Sequence, residues 1–256
     1  MAKTKVTITD DIAKTLAEEI SGFAASRGEF TFLATGGSQA TNCYPHLRTL
    51  FESDAKQVQI VLGDERLVPL ASQWSNTSML FNLFEEAKGA LQISSPILPF
   101  EGELAKIEQI MADDAMNLSD KSASITESFS ALLRQVVANF DRIINKSPAA
   151  KFVHLGLGPD GHIASLFPSC DDLGVSGRYS QISVDLDQNN KMLRTSVTFE
   201  TINSADLVVV SASGSQKGEL ISRALDQDLS LPLSHLTPEE LVFIVDAEAG
   251  DTISGR

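Results

Sequence analysis

The chain is short of cysteine, histidine and the polar aromatics: two Cys, four His, one Trp and two Tyr stand among 256 residues. Cys43 and Cys170 are too few for a disulfide framework, so a reducing compartment is expected. No H-E-x-x-H and no Cys/His cluster occurs, which argues against a metal site. The G-x-S-x-G elbow and the Walker A sequence are missing too, so neither a serine-hydrolase nor a P-loop mechanism has support. No run approaches the roughly 18 consecutive apolar residues of a membrane span. The opening MAKTKVTITDDIAKTLAEEI brings acidic residues early and has no apolar core of signal-peptide length, so a cytoplasmic protein without a membrane partner is expected. Positive charge is scarce as well: 20 Lys and Arg face 34 Asp and Glu, a formal net charge of −14. A field of that sign repels polyanions and argues against nucleic acid as a partner. It still admits a small anionic ligand, provided that a few Arg, Lys or helix N-termini make one cleft locally positive.

What the chain does contain is ordinary globular composition, 43% hydrophobic and 21% charged. One domain spanning 1–256 is expected. Short apolar runs read as strands at 30–35, 58–63, 152–157, 181–186, 206–212 and 241–246, several apolar almost throughout, as strands covered on both faces are. Helical patterns fill the gaps: 10–26 with Asp10 as N-cap, a helix opening at Ser75, 127–144, and 215–225. This alternation predicts an α/β fold, an open, mostly parallel, Rossmann-like sheet with helices on both faces. Ligands in that architecture bind beyond the carboxyl ends of the strands. Residues 89–124, with two glycines and two prolines, form the least regular stretch, and 145–150 reads as a surface loop.

Four segments stand where such a site belongs. ATGGSQA places Gly36, Gly37 and Ser38 after the first of these strands; the glycines serve turn geometry alone or cradle a phosphate together with the amides of the following helix. GDERLVP crowds Asp64, Glu65 and Arg66 at the end of the next strand, as a solvated cluster or as one wall of a cleft. GLGPDGHIASLFP, 156–168, satisfies G-x-G-x-x-G, yet Pro159 removes a backbone donor and Phe167-Pro168 cuts short any helix. A dinucleotide cradle needs both. The same glycines can instead present His162, with Asp160 two residues earlier to orient it. SASGSQKGEL brings Lys217 into the first turn of a helix, where it can meet a phosphate, and Arg194 is a further candidate cation. Taken singly, each of these cations reads equally as surface charge.

With GLGPDGHIASLFP, GDERLVP followed by Ser75-Asn76, TGGSQA, LRTSVTFETINSA and GSQK in hand, the chain resembles the 6-phosphogluconolactonase family of the glucosamine-6-phosphate isomerase/ribose-5-phosphate isomerase-like fold. The correspondence runs in order from about residue 30 to 246. It implies hydrolysis of 6-phosphoglucono-δ-lactone, a small phosphorylated sugar lactone, to 6-phosphogluconate in the pentose phosphate pathway, with no cofactor. His162 is then the general base and Asp160 its orienting neighbour. Gly36, Gly37, Ser38, Arg194 and Lys217 are the phosphate contacts. Arg66 holds the phosphate or the oxyanion, an office that backbone amides of the 156–162 turn can also fill; Asp64 holds Arg66 or a sugar hydroxyl. Where the family has Gly-Gly-Ser-Thr-Pro, this chain has Gln39 and Ala40 after Ser38, which removes a hydroxyl but not the backbone cradle. The deaminase branch of the fold continues its Asp-Gly-His turn towards Asn-Glu-Pro and carries Asp-Glu-Tyr after the second strand; Ser165-Leu166-Phe167-Pro168 and Asp64-Glu65-Arg66 depart from both. A glucosamine-6-phosphate deaminase or isomerase and a non-catalytic sugar-phosphate sensor are the alternatives. Oligomeric state is not legible in the sequence.

Overall fold

Strands that bury both faces can only lie inside a sheet covered on two sides, and FTFLA, VQIVL and LVVVSA do so here. The computed structural model describes residues 3–53, 58–84, 92–113, 115–168, 180–184 and 193–254. Its elements run β1 (Lys3–Ile8), α1 (Ile12–Arg27), β2 (Phe30–Ala34), α2 (Gly37–Ser53), β3 (Val58–Leu62), β4 (Asp64–Arg66), α3 (Asn76–Leu83), β5 (Gln92–Ser94), α4 (Glu101–Ala112) and α5 (Leu118–Lys146). They continue with β6 (Lys151–Gly156), β7 (Ser180–Val184), β8 (Leu193–Val197), α6 (Phe199–Asn203), β9 (Leu207–Ala212), α7 (Ser215–Leu225), β10 (Glu240–Val245) and α8 (Ala247–Ser254).

Seven strands form one sheet in the order β1-β10-β9-β6-β2-β3-β5, and every neighbouring pair is parallel. Alternate side chains leave each strand on opposite faces. Phe30, Phe32 and Phe152 pack with Leu16 and Ile20 of α1 and with Tyr44 of α2, whereas Leu33, Val153 and Val208 pack with Phe140 of α5, Ile221 of α7 and Ala249 of α8. Each such fully buried side chain contributes about 1.5–3 kcal/mol. From β2 the chain moves outward to β3; from β6 it moves the other way, to β9 and β10. The order therefore reverses between β2 and β6, and a crevice opens beyond their carboxyl ends.

Several local expectations are corrected. Asp11 rather than Asp10 caps α1, because the helix begins at Ile12 and only Asp11 can reach the Lys14 amide, at 2.9 Å. The 181–186 run does not join the main sheet: its described part lies in β7, in a three-stranded antiparallel sheet ordered β4-β8-β7. Residues 185–186 and Cys170 lie outside the described residues, as do 85–87 of the helix expected from Ser75. The stretch 89–124 holds α4 and the start of α5, which pack through Leu104, Ile107 and Ile125 against Leu67 and Leu193, beside the small sheet. Cys43 is buried, and burial pushes its thiol up to about 11, away from reactivity. Among the described residues, no helix is long and apolar enough to cross a membrane.

Candidate active site

A cleft of about 190 Å³ occupies the crevice. It is lined by Gly36, Gly37, Ser38 and Gln39 after β2, by Asp64 and Arg66 of β4 and Asn76 of α3, by Gly156 at the end of β6 with Gly158 and His162 of the following turn, and by Arg194 and Lys217. Each site residue expected from the sequence lines it except Asp160, which reaches it through His162.

The walls follow from the strand period. Asp64 and Arg66, two apart on β4, point to one face with Arg194, which stands directly opposite Arg66 on β8. Two guanidinium groups in such a pair repel unless an anion compensates them. Asp64 does so in part, lying 3.9 Å from the Arg194 Nη1 while accepting from the Ser165 hydroxyl at 2.8 Å. Arg66 is fixed by donating to Asn76 Oδ1 at 2.5 Å and to the Trp74 carbonyl at 2.9 Å. Asn76 in turn sits against Gly36, where any Cβ would collide with its amide. Gly37, at φ +68°, turns the chain into α2. Arg66 is thereby tied to the glycine loop.

Glu65 points the other way and is fully buried. Its carboxylate accepts from the amides of Arg66 (2.8 Å), Asn76 (2.8 Å) and Thr77 (2.6 Å) and from the Thr77 hydroxyl (2.5 Å), so it caps α3 and sets both Arg66 and Asn76. Burial pushes it up to about 7 against those four hydrogen bonds. The folded chain holds this proton more tightly than the unfolded chain. Its stabilising contribution is therefore complete below the ordinary value of 4.5 and is lost as the pH rises through about 7. Glu65→Gln cannot titrate and leaves donors unmet, so it should cost about 1–3 kcal/mol and remove that slope. Denaturant unfolding of both proteins across this window checks the point; parallel stability curves would contradict it.

The turn after β6 is built around its histidine. Gly158 N–H donates to the His162 carbonyl at 2.8 Å, Gly161 N–H to the Gly158 carbonyl at 3.1 Å, and His162 N–H to Asp160 Oδ1 at 3.2 Å. Gly161 has φ +94°, a conformation that other residues rarely adopt. A Cβ on Gly158 would collide with the imidazole and Asp160. His162 Nδ1 is 2.5 Å from Asp160 Oδ1, which leaves Nε2 as the ring nitrogen available to the cleft. Burial raises the Asp160 carboxyl, but the hydrogen bond and charge of His162 outweigh it and hold the group below its ordinary value. Phe167 supports the ring from 5.0 Å, and the Arg194 guanidinium lies 5.8 Å over the same Phe167. Among the described residues up to 168 no helix follows Gly161; the segment folds back through bridges of Leu157 and Leu166 with Ile163. The pyrophosphate reading of its glycines has no helix to stand on.

Lys217 enters from α7. Gly214, at φ +87°, opens that helix, and Asp246 grips the Gly214 amide with both oxygens at 3.0 Å. Desolvation lowers the Lys217 ammonium, with Asp246 acting in the opposite direction. Sequence reading assigned no role to Glu65, Asn76, Gln39 or Ser165. Asn76, as the residue after an N-cap serine, and Gln39, next to Ser38 in the glycine loop, had a local signal; Glu65 and Ser165 act through space.

The chain matches the model of the glucosamine-6-phosphate isomerases/6-phosphogluconolactonase family over residues 3–245. It is 28% identical over 254 residues to the chloroplastic 6-phosphogluconolactonase 3 of Arabidopsis thaliana, covering 95% of this chain and 71% of the relative. Its fold superposes on 6-phosphogluconolactonase from Trypanosoma brucei with a TM-score of 0.76, 19% identity and 99% of both chains covered. A monomeric glucosamine-6-phosphate deaminase matches at 0.68 with 14% identity, covering 98% of this chain and 99% of that one. At such identities the structural likenesses show the fold.

Proposed function

We propose, on the premise that this chain belongs to the glucosamine-6-phosphate isomerases/6-phosphogluconolactonase family, that it hydrolyses 6-phosphoglucono-δ-lactone to 6-phosphogluconate, in the cytoplasm. One observation carries the reading: a carboxylate-oriented imidazole, His162 on Asp160 at 2.5 Å, borders the same cleft as Arg66, Arg194 and Lys217. A base and a cationic anchor in one crevice suit a substrate with a phosphoryl group at one end and an activated ester at the other.

The phosphoryl group lies on the amides of Gly37 and Ser38, on Lys217 and on Arg66, which Asn76 ties to that loop. Charge-assisted contacts of about 1.5–3 kcal/mol each hold the substrate despite a net charge of −14. His162 Nε2 takes a proton from water as the water oxygen attacks the lactone carbonyl carbon. The carbonyl oxygen becomes an oxyanion. Backbone amides of the turn are poor candidates to receive it, since those of Gly158, Gly161 and His162 are already engaged. Arg194, which shares Phe167 with His162, is the better partner. Collapse expels the ring oxygen, which takes the proton back from the imidazolium, and the acid is released.

The assay that tests this follows loss of the phosphorylated lactone above its uncatalysed rate, with ammonia release from glucosamine 6-phosphate in parallel. Lactone loss without ammonia supports the reading. Ammonia instead assigns the chain to the deaminase branch; phosphogluconate binding without turnover assigns it to a sensor. Gly158→Ala supplies a second check, because the added methyl must displace the imidazole. A shift of about 1 Å costs on the order of 10²-fold in rate, with little change in melting temperature. Unchanged turnover would show that the ring position is not critical.

A further inference from the structure

Buried polar side chains on the α2 face of the sheet form a chain that ends at the cleft. The Thr35 amide donates to Tyr44 Oη at 2.8 Å. Tyr44 Oη lies 3.0 Å from His154 Nδ1, and His154 Nε2 lies 2.8 Å from Ser211 Oγ. Ser211 Oγ is 3.0 Å from Gln39 Oε1. Tyr44 and Ser211 are wholly buried, His154 is 1% exposed and Gln39 8%. Burial pushes His154 down to about 3, so its ring is neutral and carries one proton.

Only one placement of the protons satisfies every member. The Tyr44 hydroxyl already accepts from Thr35, and among the described residues His154 Nδ1 is the acceptor within reach of its own proton. Nδ1 is therefore bare and Nε2 protonated. Nε2–H donates to Ser211, whose hydroxyl proton goes to Gln39 Oε1. The reverse direction strands the Tyr44 proton in a dry core.

The consequence falls on Gln39. Its carbonyl oxygen is held inward, so the amide nitrogen on the same carbon turns towards the cleft, where it donates to no protein group among the described residues. Gly156 provides the room: a Cβ there would stand 3.1 Å from Gln39 Cγ, so the side chain lies flat across bare backbone. Gln39 is the third residue of α2, beside Gly37 and Ser38. A donor-only NH2 in that place matches an acceptor-only anion better than a sugar hydroxyl, which both gives and accepts.

We propose that Gln39 binds substrate by donating its side-chain NH2 to a phosphoryl oxygen, and that Tyr44, His154 and Ser211 are positioning residues that hold it in that orientation. The proposal rests on the phosphate-anchored reading above and adds a donor whose direction is set from the interior.

Calorimetric titration with 6-phosphogluconate and with inorganic phosphate tests it. Gln39→Met keeps the length and removes the donor; Kd for both ligands should rise about tenfold, the scale of one hydrogen bond to a charged group. Ser211→Ala should raise Kd about three- to tenfold in the parent, and not at all in a Gln39→Met background. A general structural effect of Ser211 would instead weaken binding equally in both backgrounds and overturn the positioning role. Unchanged affinity in Gln39→Met overturns the donor role. If the unmodified protein binds neither ligand, the phosphate-anchored reading itself fails. A measurement on the unmodified protein is independent of how the variants fold: the Gln39 side-chain amide resonances should move on saturation with phosphate, and resonances that stay in place contradict the proposal.

Discussion

His162→Ala is expected to lower kcat by about 10²–10⁴-fold, the usual contribution of a positioned general base, while Kd for 6-phosphogluconate stays within about threefold. The asymmetry follows from where the side chain sits. Its Nδ1 is occupied by Asp160 and its ring is propped on Phe167, so the imidazole offers the cleft one basic nitrogen and no charge-assisted contact with a phosphoryl group. A δ-lactone is an activated ester and needs no covalent nucleophile, so loss of the base removes most of what the protein adds to the chemical step. Initial rates corrected for uncatalysed hydrolysis, beside calorimetry with the product, separate the two effects. Full turnover in the variant would leave the proposed mechanism without its base.

The second large effect belongs to Lys217→Ala. A charge-assisted hydrogen bond contributes about 1.5–3 kcal/mol, which corresponds to roughly 10–150-fold in kcat/KM. The loss should be confined to the phosphorylated lactone. Lys217 belongs to α7, aimed from Gly214 by the grip of Asp246, while the base stands on a separate turn. Glucono-δ-lactone, which has no phosphoryl group, should therefore react in the variant within about threefold of its rate in the parent. Both substrates are compared under kcat/KM conditions, where transition-state stabilisation relative to free reactants is read directly. Equal losses would place Lys217 at the reacting end and reverse the orientation proposed for the substrate.

Five strands of the main sheet were legible because they are buried, LVVVSA and FTFLA being apolar almost throughout; the edge strands β1, largely exposed, and β5, three residues long, carried no such signal. The glycine turns were equally legible, since a left-handed φ at Gly37, Gly161 and Gly214 leaves few other residues possible. What escaped is what works through space. β4 is three residues long and finds its partner in β8, far along the chain, so no window of sequence shows that Arg66 and Arg194 stand opposite each other. Glu65 looks like one more charge in a cluster until α3 lays its first amides on it. His154, within an apolar strand, carries no local sign that it links Tyr44 to Ser211. The glutamine at 39 read as the loss of a hydroxyl; the folded chain gives it a fixed orientation instead.

The central claim is one of placement: an anchored phosphoryl group holds an ester carbon against the His162 ring. A crystal structure with 6-phosphogluconate bound tests it most directly. The phosphoryl oxygens are expected within about 3 Å of the Ser38 amide and Lys217 Nζ, with the carboxylate on the Arg194 guanidinium and facing the His162 ring about one water's width away. A ligand bound in the reverse sense, with its phosphate on the 158–162 turn and its carboxylate on the Ser38 amide and Lys217, would contradict the account.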